Sequence, residues 1–150
     1  MKHRATKTYG HDLGLSVAFR QWRADSHCRL LHGYALAVKL VFEAERLDER
    51  GWVIDFGALK PVKEALQRAF DHVTLVAEDD PEREWFEEAA ARGIAQVCLV
   101  PRTGCEAFAR LIQRIVNEWL AAEGHHPRVR LAEVEVREHG ANAAAVVTYG

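Results

Sequence analysis

The chain has 150 residues, enough for one domain with its own core, and 49% of them are hydrophobic against 28% charged, which excludes a disordered polymer. A formal charge of −2 leaves no electrostatic footprint for nucleic acid or an anionic membrane. No apolar run approaches the roughly 20 residues of a membrane span, and Met1-Lys2-His3-Arg4 leads into no apolar secretory segment. Cys28, Cys98 and Cys105 are odd in number and have no paired spacing, which fits a reducing, cytoplasmic compartment. Without repeats or low-complexity tracts, residues 1–150 are expected to form a single domain.

Residues 13–20 predict a first strand. Residues 32–43 predict a longer one: Tyr34, Leu36, Val38, Leu40 and Phe42 share one face, and Ala35, Ala37, Lys39 and Val41 take the other. Gly51-Trp52-Val53-Ile54 reads as a return segment. Asp55 is a good N-cap for a helix with Pro61 in its first turns and Leu59, Val62, Leu66 and Phe70 at helical spacing. Residues 78–93 read as an acidic loop and short helix stopped by Gly93, and residues 95–100 as a short strand. Phe108, Leu111, Ile112, Ile115, Trp119 and Leu120 then define an amphipathic helix. Residues 129–138 and 143–149 alternate as a final strand pair turning around Gly140-Ala141-Asn142. The order β-β-α-(α)-β-α-β-β indicates an α+β fold.

Several residues stand out against that pattern, each with an ordinary structural explanation beside it. His32 and Tyr34 sit at i and i+2, so they lead into the core face of the long strand. There they need polar partners and are satisfied equally by simple hydrogen bonding and packing. Asp71-His72 pairs a carboxylate with an imidazole that it can orient, or it only complements a helix C-terminus. Glu138 extends the stripe Ala132, Val134 and Val136. A carboxylate there is costly without a bidentate donor, such as adjacent ring and amino N–H groups of a ligand, unless the strand end is simply wet. Thr103-Gly104-Cys105-Glu106 matches a capping box, and Cys98 and Cys105 read as small apolar fillers.

Taken together, Cys28-x-x-x-His32-Gly33-Tyr34, Gly51-Trp52-Val53-Ile54-Asp55-Phe56, Asp71-His72-Val73-Thr74-Leu75, the Glu106 helix start and Val134-Glu135-Val136-Arg137-Glu138 resemble the 6-pyruvoyl- and 6-carboxy-tetrahydropterin synthases. The motifs follow the family order over most of the chain. The resemblance implies the tunnelling fold, with an antiparallel four-stranded sheet, helices on one face, and assembly into a β-barrel. It also implies a homohexamer built as a dimer of trimers, with active sites between subunits. The implied reaction is a carbon–oxygen or carbon–carbon lyase step on a reduced pterin similar to dihydroneopterin triphosphate. Cys28, Asp71 and His72 take the catalytic positions. Glu138, Glu106 and Tyr34 take the substrate-binding side.

The chain departs from the family pattern where zinc is held. The family uses a histidine on the first strand and both histidines of His-Gly-His. Here Phe19 and Tyr34 stand at two of those positions, and only His32 is retained. A catalytic zinc normally takes three protein ligands, so the expectation is a protein without stoichiometric zinc. The Asp-His segment also carries Val76 where the family has asparagine, and residues 78–93 look like an insertion. The alternative function is a non-catalytic pterin or purine binder that kept the ring pocket.

Overall fold

The computed structural model describes residues 1–149. The elements follow in the order β1 (His3–Tyr9), β2 (Leu15–Phe19), β3 (His32–Ala44), α1 (Lys60–Phe70), β4 (Val73–Ala77), α2 (Arg83–Ala91), β5 (Val97–Val100), α3 (Cys105–Ala122), β6 (Arg130–His139) and β7 (Asn142–Val147). Single 3-10 turns lie at His11–Leu13, His27–Arg29 and Phe56–Leu59. No helix among the described residues is long and apolar enough to cross a membrane.

The long strand β3 organises the sheet. On one side its first half pairs antiparallel with β2, from Phe19↔His32 to Leu15↔Leu36, and its second half with β1, from Tyr9↔Val38 to His3↔Ala44. On the other side it pairs antiparallel with β6, and β6 with β7. Beyond β2 the sheet continues as β4 and then β5, both parallel. The result is a mixed, seven-stranded sheet in the order β5-β4-β2-β3-β6-β7 with β1 alongside β3.

The expected four-stranded antiparallel sheet is therefore corrected. β4–α2–β5 is a parallel crossover, the connection that parallel neighbours require; α2 is the short helix expected within the acidic segment 78–93, and β5 the strand expected at 95–100. β1 escapes the periodicity rule because its apolar character is thin: Ala5 and Tyr9 alternate with Arg4, Thr6 and Thr8. Gly51–Ile54 is not a strand. The Asp48 carboxylate accepts from the backbone N–H groups of Arg50 and Trp52 at 2.9 and 3.0 Å, and Arg128 donates to the Val53 carbonyl at 2.9 Å. Side chains satisfy that backbone in place of a ladder.

Leu15, Val17, Phe19, Leu36, Val38, Leu40 and Phe42 form one buried sheet face. Val62, Leu66 and Phe70 of α1 and Phe108, Ile112, Val116 and Leu120 of α3 close over it in the same core. Asp55 does cap, accepting from Gly57 N at 2.8 Å, but it starts the 3-10 turn and α1 follows from Lys60. The opposite face is polar: Lys39 bridges Glu133 and Glu135 at 3.2 and 3.5 Å.

Candidate active site

The start of β3 brings three rings together. His32 lies opposite Phe19, with ring centroids 5.1 Å apart, and stands edge-on to Tyr34 at 5.3 Å. Phe19 is fully buried and meets Phe108 of α3 edge-on at 5.0 Å. Gly33 between the two polar rings permits this pairing: a Cβ there would lie 2.6 Å from the Val17 carbonyl oxygen. His32 Nδ1 lies 2.7 Å from the Leu30 carbonyl, so the tautomer that donates this bond leaves Nε2 as an acceptor.

Glu138 comes to this end from β6. The β6–β7 register shifts between Arg137 and His139, and such a bulge re-aims the side chain it carries. Glu138 is half-buried, and no salt bridge reaches it among the described residues. The Cys105 thiol, at the first turn of α3, lies close enough to Glu138 to be influenced by its charge. Burial pushes that thiol up to about 12, reinforced by the negative charges of Glu138 and Glu106. The Tyr34 phenol is raised for the same reasons, first burial and then Glu138, with Cys28 and Cys105 contributing. Both groups are therefore protonated donors around physiological pH. His139 adds a further ring, 5.9 Å from Tyr34.

Cys28 sits half-buried in the 3-10 turn His27–Arg29, where its own N–H donates to the Ser26 hydroxyl at 3.3 Å. Glu106 is exposed and does not complete a capping box. The helix N-cap is Gly104, without a side-chain cap, because the Thr103 hydroxyl donates to the Arg20 carbonyl at 2.7 Å instead. Glu106 also lines an open groove of about 1050 Å³ that runs along α3 past Arg110 and Arg114.

Asp71 and His72 form a pair, with Nδ1 and Oδ1 2.7 Å apart. His72 has φ 57° and is held by its N–H bond to the Ser16 carbonyl at 2.7 Å. Its side chain is 84% exposed. Cys28, Cys105 and Glu138 all lie near enough to Tyr34 to act on its phenol, whereas the His72 side chain of the Asp71–His72 pair is open to solvent. Cys105 was the residue missed. A cysteine at a helix start reads as filler until the fold brings β6 beside it.

The donor set does not suit the zinc that the family resemblance implies. His32 has the orientation of a ligand, but its neighbours at the two other positions are a buried phenyl ring and a phenol kept neutral. No three His, Cys, Asp or Glu side chains converge as a metal cage among the described residues.

A mixed sheet covered by α1 and α3, with a carboxylate, a phenol and two thiols at one end, places the protein in a defined class of α+β domains. The chain belongs to the 6-pyruvoyl tetrahydropterin synthase family, whose model matches residues 11–149. Over 56 residues it is 38% identical to the 6-carboxy-5,6,7,8-tetrahydropterin synthase of Rickettsia felis and 36% identical to that of Rickettsia conorii. That stretch is 37% of this chain and 41% of each relative, so the match spans less than half the length of the curated relatives. The fold resembles that of an uncharacterised protein from Wolinella succinogenes, with TM-score 0.83, 19% identity and 99% of both chains covered. It also resembles a catalytic-residue mutant of Plasmodium vivax 6-pyruvoyltetrahydropterin synthase, with TM-score 0.70, 17% identity and 97% of both chains covered.

Proposed function

We propose that the protein is a lyase acting on a reduced pterin similar to dihydroneopterin triphosphate, and that it works without zinc. One observation carries the reading: Glu138 is a half-buried carboxylate with no cationic partner among the described residues, ringed by the neutral donors Cys105 and Tyr34. A carboxylate so placed is matched by a heterocycle offering adjacent N–H groups, which a pterin ring edge supplies. Glu106 borders the same end.

In this reading Cys28 takes a proton from a side-chain carbon of the bound pterin. The electron pair left on carbon expels the leaving group with the C–O bond pair. Asp71 and His72 complete the proton path from a neighbouring copy, to which the exposed His72 side chain is open. That requirement supports the barrel hexamer, a dimer of trimers. The exposed small residues Ala35, Ala143 and Ala145 suit close strand packing in it. Tyr34 takes the electrophilic role as a hydrogen-bond donor to developing negative charge on oxygen, with the His32 ring packed edge-on beside it. The setting is cytoplasmic.

The test is turnover of dihydroneopterin triphosphate by purified protein, with elemental analysis of the same sample. Triphosphate release from protein holding less than about a tenth of an equivalent of zinc supports the reading. Binding of the pterin without turnover at any metal loading favours the non-catalytic binder, and one tightly held zinc per chain contradicts the metal-free mechanism.

A further inference from the structure

The acidic segment after β4 is tied to the loop that carries Cys28. The Arg20 guanidinium, one residue past β2, grips the Asp80 carboxylate at 2.9 and 2.6 Å. Asp80 is 5% exposed, and its carboxyl is held below the ordinary range chiefly by Arg20. The same carboxylate accepts from Glu82 N at 2.8 Å, so it also sets the turn into α2. Next to it, Asp79 accepts from the Trp22 indole at 3.2 Å and from Arg23 at 2.8 Å. The far end of the loop is tied back as well: Gln21 N donates to the Cys28 carbonyl at 2.9 Å, and Arg20 reaches the Arg29 carbonyl at 3.5 Å.

We infer that Asp80, acting through Arg20, is a positioning residue that holds the Cys28 turn against Tyr34 and Glu138, with Asp79 as a weaker second anchor. Residues 78–93 are then a clamp on the active-site loop rather than a neutral insertion. A buried bidentate pair is suited to this role, since its fork fixes orientation as well as distance. The Asp79 contacts are exposed and screened. The catalytic part of this inference rests on the lyase reading; the clamp itself does not.

The test is iodoacetamide labelling of Cys28, followed by peptide mass spectrometry, in full-length wild type, Asp80→Asn, Arg20→Gln, the double variant and Asp79→Asn, with melting curves and turnover measured in parallel. Asp80→Asn preserves side-chain shape and the acceptor for Glu82 N, and should raise the Cys28 labelling rate about fivefold or more in folded protein by freeing the turn. Arg20→Gln should raise it at least as much, since it also removes the contact to the Arg29 carbonyl, and the double variant should match Arg20→Gln, because Asp80→Asn then has no Arg20 partner left to lose. Asp79→Asn, a surface change expected to leave folding intact, should raise labelling about twofold. With pterin substrate, kcat should fall while KM stays within about twofold, since ring anchoring is untouched. Labelling unchanged in all the folded variants, or additive effects of Arg20→Gln and Asp80→Asn, overturns the clamp even if the wild type turns over pterin. Faster labelling in protein that turns over no pterin supports the clamp and removes the lyase reading instead.

Discussion

Two carboxylates at opposite ends of the same sheet have opposite surroundings. Glu43, at the far end of β3, is 4% exposed and saturated with cations: Arg130 and Arg4 hydrogen-bond to it, and Lys2 lies 3.3 Å away. Arg130 and then Arg4 hold its carboxyl at about 2. Glu138, at the other end of β6, is half-buried, has no salt-bridge partner among the described residues, and faces a protonated thiol and a protonated phenol. Glu43 spends its charge on the fold. In the proposed reading, Glu138 is left for a ligand that brings N–H groups, since a half-buried carboxylate without a cationic partner is otherwise costly.

The contrast is most sharply tested at Cys28. Cys28→Ala should lower kcat on a reduced pterin by about 10²–10⁴-fold, the usual worth of a positioned acid–base group, while pterin affinity stays close to wild type. Equal kcat in the two proteins, by steady-state assay, would leave the thiol as packing.

At the saturated end, Glu43→Gln should cost about 1–2 kcal/mol in urea unfolding at pH 7, because it removes a buried acceptor from cations that are themselves partly solvated. The pH dependence follows from a lowered carboxyl. The stabilisation is complete above the ordinary value of 4.5 and is lost as pH falls through about 2. Wild type and variant should therefore converge across that window, and a gap independent of pH would show that Glu43 acts through packing alone. Turnover per folded molecule should not change.

Tyr34→Phe should have the smallest effect, about tenfold in kcat, from loss of one hydrogen-bond donor to developing charge. A phenol raised from 10.0 stays neutral, and so stays a donor, beyond that pH. Activity should then show no Tyr34-dependent alkaline loss below pH 10. A limb that falls below pH 10 in wild type and vanishes in Tyr34→Phe would contradict this environment.

Most of the fold was legible where the hydrophobic period is unbroken. Val62, Leu66 and Phe70, and Phe108, Ile112 and Leu120, are buried as their spacing requires, and β3 runs one residue beyond its expected end. Legibility failed where pairing, not period, makes the strand. β1 is held by β3 despite its charged residues, and the five-residue β4 is a strand through its parallel pairing with β2 and β5, whereas β5 falls within the short strand expected at 95–100. The site was legible as motifs but not as an arrangement. The order of Cys28, Asp71-His72 and Glu138 is read from the sequence, while the positive φ of His72 and the exposure of its side chain come only from the fold. The Cys105–Glu138 contact and the Arg20–Asp80 clamp join residues 33 and 60 positions apart, so no local pattern announces them.

The central claim is that Glu138 is an unspent charge awaiting a heterocycle. Calorimetric titration of chelator-treated protein with a reduced pterin, wild type against Glu138→Gln, tests it directly. Each charge-assisted bond lost should weaken binding by about 1.5–3 kcal/mol, roughly ten- to a hundredfold, with the melting temperature little changed. Equal affinity in the two proteins would contradict the account.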